Sequence, residues 1–194
     1  MKQINKFIDK YNKDFLKLIY IDKNVKDKIV KLYKLIIKIK SKKNKIIIAG
    51  NGGSAAIASH FSVDMTKNGG VRCINFNESD LLTCFSNDYG YENWLKQAIK
   101  FYADKGDLII LISASGNSKN MINAANYTKK MKNSLVTLSG FNGKNKLSKI
   151  GNINFTVNSK KFNFIENIHQ YLLLLLVDMM VGKKNNIFNL NYKN

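Results

Sequence analysis

The stretch D-L-I-I-L-I-S-A-S-G-N-S at residues 107–118 decides the fold of this chain. Its continuous apolar run, ended by small polar residues and a glycine, is typical of a buried parallel strand that turns directly into a helix. A second stretch of the same kind, K-I-I-I-A-G-N-G-G-S, occupies residues 45–54. Because helical periodicity follows both stretches, they predict a parallel sheet covered by helices on both faces.

The same alternation of strands and helices continues outward from these two stretches. Further strands are predicted at 71–76, 134–139 and 153–157. Helices are predicted at 54–67, 79–86, 91–102, 119–131 and 162–181. The predicted fold class is therefore α/β, with a doubly wound parallel sheet of five strands and an N-terminal helical extension.

Residues 1–43, which precede the first strand, have a different pattern. Apolar residues recur there at spacings of three and four among many lysines, which predicts two amphipathic helices. Asn24 is a candidate N-cap for the second of them. We expect residues 1–43 to pack on the domain or on a partner subunit, residues 44–182 to form the α/β domain, and residues 183–194 to be a frayed tail.

Length and composition exclude several classes of protein. The chain has 194 residues, of which 45% are hydrophobic and 23% are charged, as in a globular domain. Two cysteines, Cys73 and Cys84, cannot build a disulfide framework, and both are interpreted as packing residues rather than nucleophiles. Residues 1–20 are too charged for a signal peptide, and the apolar run 171–181 is too short to span a bilayer. These features predict a cytoplasmic protein without a membrane segment.

The net charge of +19 suggests a nucleic acid, an anionic membrane or an anionic small molecule as partner. However, all but one of the 32 basic residues are lysines, the exception being Arg72, and the chain contains no proline. Many Lys, Asn and Ile residues with no Pro are what an A/T-rich coding sequence produces. The lysines are also spread along the whole chain, so specific nucleic-acid binding is the less favoured interpretation.

Both strand-to-helix junctions carry residues suited to an anionic ligand. Glycines at 50–54 let the backbone approach a ligand, and free N–H groups at a helix start attract an anion, although a simple tight turn is the alternative. This segment lacks the spacing of a dinucleotide-binding or P-loop motif. Ser113, Ser115 and Ser118 surround the second junction and can wrap a phosphate. The alternative there is ordinary N-capping by Ser118 or Asn117.

Five motifs in the same order resemble the sugar isomerase (SIS) fold, and specifically the phosphoheptose isomerases. They are G-N-G-G-S at 50–54, S-N-D-Y-G-Y at 86–91, I-S-A-S-G-N-S at 112–118, T-L-S-G at 137–140 and I-E-N-I-H at 165–169. The resemblance spans residues 3–182. It implies a flavodoxin-like sheet, a homotetramer, and conversion of sedoheptulose 7-phosphate to D-glycero-D-manno-heptose 7-phosphate on the route to lipopolysaccharide or capsule heptose.

The resemblance also implies roles for individual residues. Substrate-binding positions on the two junctions and between them are Asn51, Gly52, Gly53, Ser54, Asn87, Asp88, Ser113, Ala114, Ser115, Ser118 and Glu166. The catalytic positions are Asp64, Glu166 and His169, and the implied zinc ligands are His60, Asp64 and Glu166. Three ligands plus water can hold a metal ion.

Several of these positions depart from the family pattern. The family has a glutamate four residues after its histidine, whereas this chain has Asp64 after His60. The family glutamine is replaced by Glu166, and the later family histidine, a zinc ligand and second acid–base group, is replaced by Leu174. These departures keep a second hypothesis open, a non-catalytic SIS protein that binds a phosphosugar as a sensor or as a partner-binding module.

Structural interpretations also stay open for the candidate residues. A lone histidine is more often buried structurally than a ligand, which applies to His60 and His169. Asp64 can pair with a lysine such as Lys67 instead of acting on a substrate. Trp94 and Tyr91 are interpreted as core or interface aromatics rather than as residues that stack on a sugar.

Overall fold

The computed structural model describes residues 1–184, with side chains to residue 182. Its centre is a parallel sheet with the strand order β2-β1-β3-β4-β5. The strands are β1 (Ile46–Gly50), β2 (Cys73–Ile74), β3 (Leu108–Ser113), β4 (Ser134–Ser139) and β5 (Ile153–Thr156). In the register of β3, Ile112 lies opposite Gly50 and Ser113 lies opposite Ser139. The carboxyl ends of β1, β3 and β4 therefore meet at one edge of the sheet.

Helices cover both faces of this sheet. They are α1 (Lys2–Ile19), α2 (Lys23–Ser41), α3 (Gly53–Lys67), α4 (Ser79–Tyr89), α5 (Trp94–Tyr102), α6 (Lys119–Lys130) and α7 (Phe162–Lys184). Short 3₁₀ turns occupy Phe141–Gly143 and Leu147–Lys149. One apolar core lies between the sheet and α2, α3 and α7, and a second lies between the sheet and α5 and α6. The predicted fold class is confirmed.

Two local predictions were wrong. The strand predicted at 71–76 is reduced to Cys73–Ile74, the two residues that pair with β1. On its outer side, the Thr66 hydroxyl accepts the N–H of Cys73 at 3.0 Å and donates to its carbonyl at 3.1 Å. Asn24 does not cap α2. The N-cap is Asp22, whose carboxylate accepts the N–H of Val25 at 2.8 Å.

The two N-terminal helices differ in how they contact the domain. α2 buries Ile29, Leu32, Ile36 and Ile39 against the sheet and so belongs to the core. α1 buries no residue, and its main contacts are the rings of Tyr11 and Phe15, centred 4.5 and 5.4 Å from the ring of Phe164. Leu18 also packs against the core, whereas Ile4, Phe7, Ile8 and Leu16 are exposed, with Phe7 at 67% exposure.

The last described helix, α7, is the most apolar element of the chain. Residues 162–182 have a mean hydropathy of 1.4, and by length and composition alone this helix could cross a membrane. Half of its apolar segment is buried inside the fold, and core helices of soluble proteins commonly pass the same test. The helix continues through Lys184, into the predicted frayed tail. The remainder of that tail lies outside the described residues.

At the amino ends of the strands, a buried ion cluster joins β1 to β3. Lys45 Nζ lies 2.6 Å from both Asp107 Oδ2 and Asp104 Oδ2. Asp107, whose side chain is 1% exposed, also accepts the backbone N–H groups of Lys45 and Asp104, at 2.9 and 2.8 Å. Burial lowers the pKa of Lys45, but the hydrogen bonds to both carboxylates outweigh it and leave the pKa raised. This cluster is fully paired and therefore anchors the fold.

Candidate functional site

The glycine turn between β1 and α3 allows a carboxylate to reach the start of a helix. Gly52 has φ +55°, a conformation that side chains disfavour. A Cβ on Gly53 would collide with the carboxylate of Glu166 from α7. Glu166 therefore lies against the first turn of α3, where the helix dipole favours negative charge. Any side chain at residue 53 would displace it.

A pair of side-chain amides ties this turn to the second junction. Asn51 Nδ2 donates to Asn120 Oδ1 at 3.1 Å, and Asn120 Nδ2 donates back to Asn51 Oδ1 at 2.9 Å. Tyr91 donates its hydroxyl to the same Asn51 oxygen at 3.3 Å. Asn120 lies in the first turn of α6, directly after the serine loop, residues 113–118. The pair therefore places the two predicted anion-binding junctions side by side.

The serine loop does not itself cap the start of α6, where the Asn120 side chain accepts the N–H of Met121 at 3.0 Å. Ser118 is the N-cap residue but makes no side-chain cap hydrogen bond, which contradicts the capping alternative for Ser118. Its hydroxyl instead lies 3.3 Å from that of Ser113. The Asn117 alternative also finds no support, since the Asn117 side chain accepts the backbone N–H of Lys146 at 3.2 Å. The arrangement offers hydroxyls and helix N–H groups to a phosphate.

A buried asparagine, Asn145, packs against the serine loop and holds it in place. A Cβ on Gly116 would collide with the side chain of Asn145, which is 3% exposed. Asn145 donates to the Gly140 carbonyl at 2.9 Å and to the Ser139 hydroxyl at 3.1 Å. The end of β4 thus fixes the loop that follows β3. Ser113 and Ala114 are buried in this loop, whereas Ser115 is partly exposed.

An open cleft of about 280 Å³ lies between α3 and α7, beside the glycine turn. It is lined by Gly53, Ala56, Ile57, His60, Glu166, Asn167 and Gln170. His60 Nε2 lies 3.2 Å from Asp64 Oδ2, and Gln170 Nε2 lies 3.2 Å from His60 Nδ1. Asp64 pairs with His60, and no ion pair to Lys67 is formed within residues 1–184. His60, Glu166 and Gln170 therefore face one cleft between the two helices, and Asp64, which does not line the cleft, is bonded to His60.

The implied zinc ligands do not form a metal site. Within the described part of the chain, no three His, Cys, Asp or Glu side chains are grouped so as to hold a metal ion. Both ring nitrogens of His60 are already engaged by protein partners. Leu174 has no donor atom and packs against the apolar core. The donor set therefore does not fit zinc.

His169 lies in the interior and does not line the cleft. It is 0% exposed, and its Nε2 donates to the Ser139 carbonyl at 3.1 Å. Burial lowers the pKa of its imidazole to about 4, so the ring is neutral near pH 7. Its Nδ1 is buried without a hydrogen-bond partner. The predicted catalytic role would require this ring to be uncovered.

The remaining predicted contacts lie on α4, at the rim of the site. Asn87 and Asp88 are exposed, and the amide of Asn87 donates to the carboxylate of Asp88 at 3.0 Å. In the part of the chain that the structure covers, no hydrogen bond joins either residue to the glycine turn or the serine loop. Tyr91 is 54% exposed and contacts Asn51, so it does not lie in the core, and its interpretation as an interface aromatic stays a prediction. Trp94 is buried in the core as predicted.

The two cysteines differ from each other. Cys73 is buried, which raises the pKa of its thiol, and it packs in the core as predicted. Cys84 is exposed, so its interpretation as a packing residue was wrong. Its sulfur lies 3.8 Å from Asp88 Oδ2.

Sequence reasoning missed Asn120, Asn145 and Gln170. None of the three falls in a recognisable motif, and asparagine is common throughout this chain. One signal was available for Asn120, because a polar residue near the start of a helix after a serine loop can face the neighbouring junction. Gln170 had a weaker signal, its position one helical turn after Glu166.

Comparisons with known proteins show the family of this chain. The SIS domain family matches residues 10–140. The phosphoheptose isomerase of Helicobacter hepaticus is 36% identical over 152 residues, covering 74% of this chain and 77% of that protein. The phosphoheptose isomerase of Aliarcobacter butzleri is 34% identical over 145 residues, covering 72% of this chain and 76% of that protein.

Solved structures show the same fold. The phosphoheptose isomerase structure from Francisella tularensis superposes with a TM-score of 0.84 at 22% identity, covering 93% of this chain and 98% of that one. The one from Neisseria gonorrhoeae gives 0.83 at 24% identity, covering 91% and 99%. Because the family match covers residues 10–140 and the two relatives are 34% and 36% identical over more than two thirds of the chain, this chain belongs to the SIS domain family, among the phosphoheptose isomerases.

Proposed function

We propose that this protein is an aldose–ketose isomerase that converts sedoheptulose 7-phosphate to D-glycero-D-manno-heptose 7-phosphate. One observation carries the proposal: the Asn51–Asn120 amide pair sets the serine loop beside the turn where Glu166 meets α3. A phosphate-binding loop and an acid–base cleft therefore share one edge of the sheet. The names and sequence identities of the relatives support the same activity.

The serine loop is assigned to the phosphate. The hydroxyls of Ser113, Ser115 and Ser118, with the first N–H groups of α6, can contact its oxygens without a buried cation. The sugar chain then extends past Asn51, Gly52 and Gly53, with Ser54 at the start of α3. Asn87 and Asp88 are assigned to sugar hydroxyls because they lie on the exposed rim, four and three residues before Tyr91.

The cleft between α3 and α7 is assigned to the reacting carbons. Asp64 removes a proton from C1 while the C2 carbonyl oxygen gains one, which gives an enediol. Return of a proton to C2 and loss of the proton on the C1 oxygen give the aldose. Glu166, held at the first turn of α3, is assigned to proton exchange at the two oxygens. His60 orients Asp64 through its Nε2–H.

No step of this proposal passes through zinc, because the donor set does not fit a metal ion. His169 is assigned no proton-transfer step. Its hydrogen bond to the Ser139 carbonyl links α7 to the end of β4, so its proposed role is to position α7. The non-catalytic alternative has no observation in its favour beyond the substitutions at Asp64 and Leu174.

The assembly is proposed to be a homotetramer, as the family resemblance implies. The open apolar face of α1 supports self-association, with Ile4, Phe7 and Leu16 each at least 60% exposed. Light scattering that gives a stable monomer at micromolar concentration would contradict this. Phe7→Lys should weaken the assembly if α1 lies in the interface.

We further propose a cytoplasmic location, no membrane partner and no specific nucleic-acid partner. α7 is a core helix by its burial, and the lysines are scattered over the sequence. Any DNA binding should be weak and fall steeply with salt. A tight, sequence-selective complex at physiological salt would overturn the proposal that there is no specific nucleic-acid partner.

The family resemblance alone supports the assignment of the product to the heptose supply for lipopolysaccharide or capsule.

The deciding experiment is incubation of the purified protein with sedoheptulose 7-phosphate, followed by NMR detection of the aldose phosphate. We expect turnover without added zinc. Calorimetry with the same sugar phosphate should show binding, and the unphosphorylated sugar should bind poorly. Binding without turnover on any ketose phosphate would favour the non-catalytic alternative.

A further inference from the structure

The helices that form the cleft are joined by a hydrogen bond that the family resemblance does not anticipate. Gln170 on α7 places its Nε2 3.2 Å from Nδ1 of His60 on α3. On the other side of the ring, His60 Nε2 lies 3.2 Å from Asp64 Oδ2. Both nitrogens of this histidine therefore have protein partners.

The chemistry of the partners determines the form of the neutral ring. A carboxylate only accepts hydrogen bonds, so His60 must carry its proton on Nε2 to bond Asp64. Nδ1 then presents a lone pair, to which the Gln170 amide donates. The hydrogen bonds run in one direction, from Gln170 through His60 to the carboxylate of Asp64.

This arrangement accounts for two of the departures from the family pattern. The amide implied at position 166 is absent, but Gln170 lies one turn further along α7 and on the same face, since residues four apart share a helix face. Leu174 adds no ligand. An Nδ1 lone pair that accepts from Gln170 is not available to a metal ion.

We propose that Gln170 is a positioning residue, which holds His60 and, through it, Asp64 in the geometry of the isomerisation, in place of a metal ion. The proposal rests on the proposed isomerase function. The side chain of His60 is 48% exposed, so without Gln170 only Asp64, on the same helix, restrains the ring. The His60 ring can then rotate to other side-chain conformers, and the Asp64 carboxylate that is bonded to it moves out of position.

The hydrogen bond can be observed directly in the resting protein. The chain has just two histidines, so nitrogen-15 NMR of labelled protein resolves both rings. In the wild type, we expect His60 in the Nε2–H form with an Nδ1 resonance shifted by an accepted hydrogen bond. In Gln170→Met, which keeps the length but not the donor, that resonance should move to the position of an unbonded nitrogen. The buried His169 is the internal reference and should not change.

Kinetics test whether the hydrogen bond matters for the reaction. Gln170→Met should lower kcat roughly tenfold while KM stays within about twofold, since substrate binding does not use the amide. Gln170→Glu, which keeps the shape but cannot donate when ionised, should behave in the same way. Tyr171→Phe, the next residue on α7 and outside the cleft, should match the wild type.

Several outcomes would overturn the proposal. They are an unchanged His60 Nδ1 resonance in Gln170→Met, a wild-type kcat in that variant, or stoichiometric zinc binding that moves the same resonance in the wild type. If the wild type is active but the His60 Nδ1 resonance is the same in Gln170→Met, only the positioning role of Gln170 is rejected. An inert wild type would reject the isomerase function together with this role, and the spectra would then report separately on the hydrogen bond.

Discussion

Two charged clusters of the molecule differ in how fully their groups are paired. At the amino ends of the strands, Asp107 accepts three short hydrogen bonds, and its side chain is only 1% exposed. On α3, the side chain of Asp64 is 28% exposed and bonds mainly to His60. Both clusters combine a carboxylate with a basic side chain, yet one stabilises the fold and the other is proposed to act on a substrate.

The difference lies in solvent access and unused hydrogen-bonding capacity. A buried carboxylate with all of its acceptor positions occupied stabilises the fold and has no capacity left for a substrate. An open carboxylate with free lone pairs contributes little to stability but can accept a proton from a ligand. Mutations at the two clusters should therefore separate activity from stability.

The largest effect is expected at the open cluster. Asp64→Asn removes the proposed base and should lower kcat on sedoheptulose 7-phosphate by about a thousandfold, the range of general-base catalysis. The unfolding free energy should change by less than about 1 kcal/mol, because an exposed pair contributes little. Steady-state kinetics and urea unfolding measure the two effects. Full activity in Asp64→Asn would mean that Asp64 is only a surface carboxylate.

The matched change at the paired cluster should have the opposite result. Asp107→Asn leaves Lys45 without its buried partner and should lower the unfolding free energy by about 3 kcal/mol. The folded fraction should retain the wild-type kcat, because neither Lys45 nor Asp107 lines the cleft. Urea unfolding combined with activity per folded molecule tests this. A large loss of kcat with unchanged stability would remove the distinction between the clusters.

His169 sharpens the comparison, because it is as buried as Asp107 but has one unpaired nitrogen. Burial lowers its pKa from the usual 6.5 to about 4. The unfolded chain then binds the proton more readily, so stability is fully present above pH 6.5 and is lost as the pH falls towards 4. The loss should reach roughly 3 kcal/mol.

The matched variant is His169→Gln, which can still donate to the Ser139 carbonyl but does not titrate. Its unfolding free energy should depend less on pH than that of the wild type between pH 6.5 and 4. Its kcat at neutral pH should change little if His169 only positions α7. Abolished turnover in a stably folded His169→Gln would instead support the catalytic role that the family resemblance implies.

The smallest effect is expected at the serine loop. Ser118→Ala removes one hydroxyl from the proposed phosphate site and should weaken sugar phosphate binding by about 1–2 kcal/mol. Ser148→Ala is the control, because that hydroxyl lies outside the serine loop and is bonded to the carbonyls of Gly143 and Asn145. Calorimetry should show weaker binding only for Ser118→Ala. Equal wild-type affinity for the free sugar and its phosphate would refute the phosphate assignment.

The sequence by itself determined the layers of the fold and the two loops at the carboxyl edge. Continuous apolar runs such as 108–112 form strands because both faces of a parallel sheet are buried. The serines at 113–118 follow such a strand directly, so the end of the strand places them. The short β2 could not be predicted, because on its outer side Thr66 rather than a further strand satisfies the backbone of Cys73.

Only the tertiary structure decided which polar side chains meet. Asn51 and Asn120 are 69 residues apart, and Gln170 and His60 are 110 residues apart. Apolar burial follows a period that can be read along the chain, because a whole face of a strand or helix turns to the core. A hydrogen bond between two side chains has no such period, since it depends on the final packing of α3, α6 and α7 to within a fraction of an ångström.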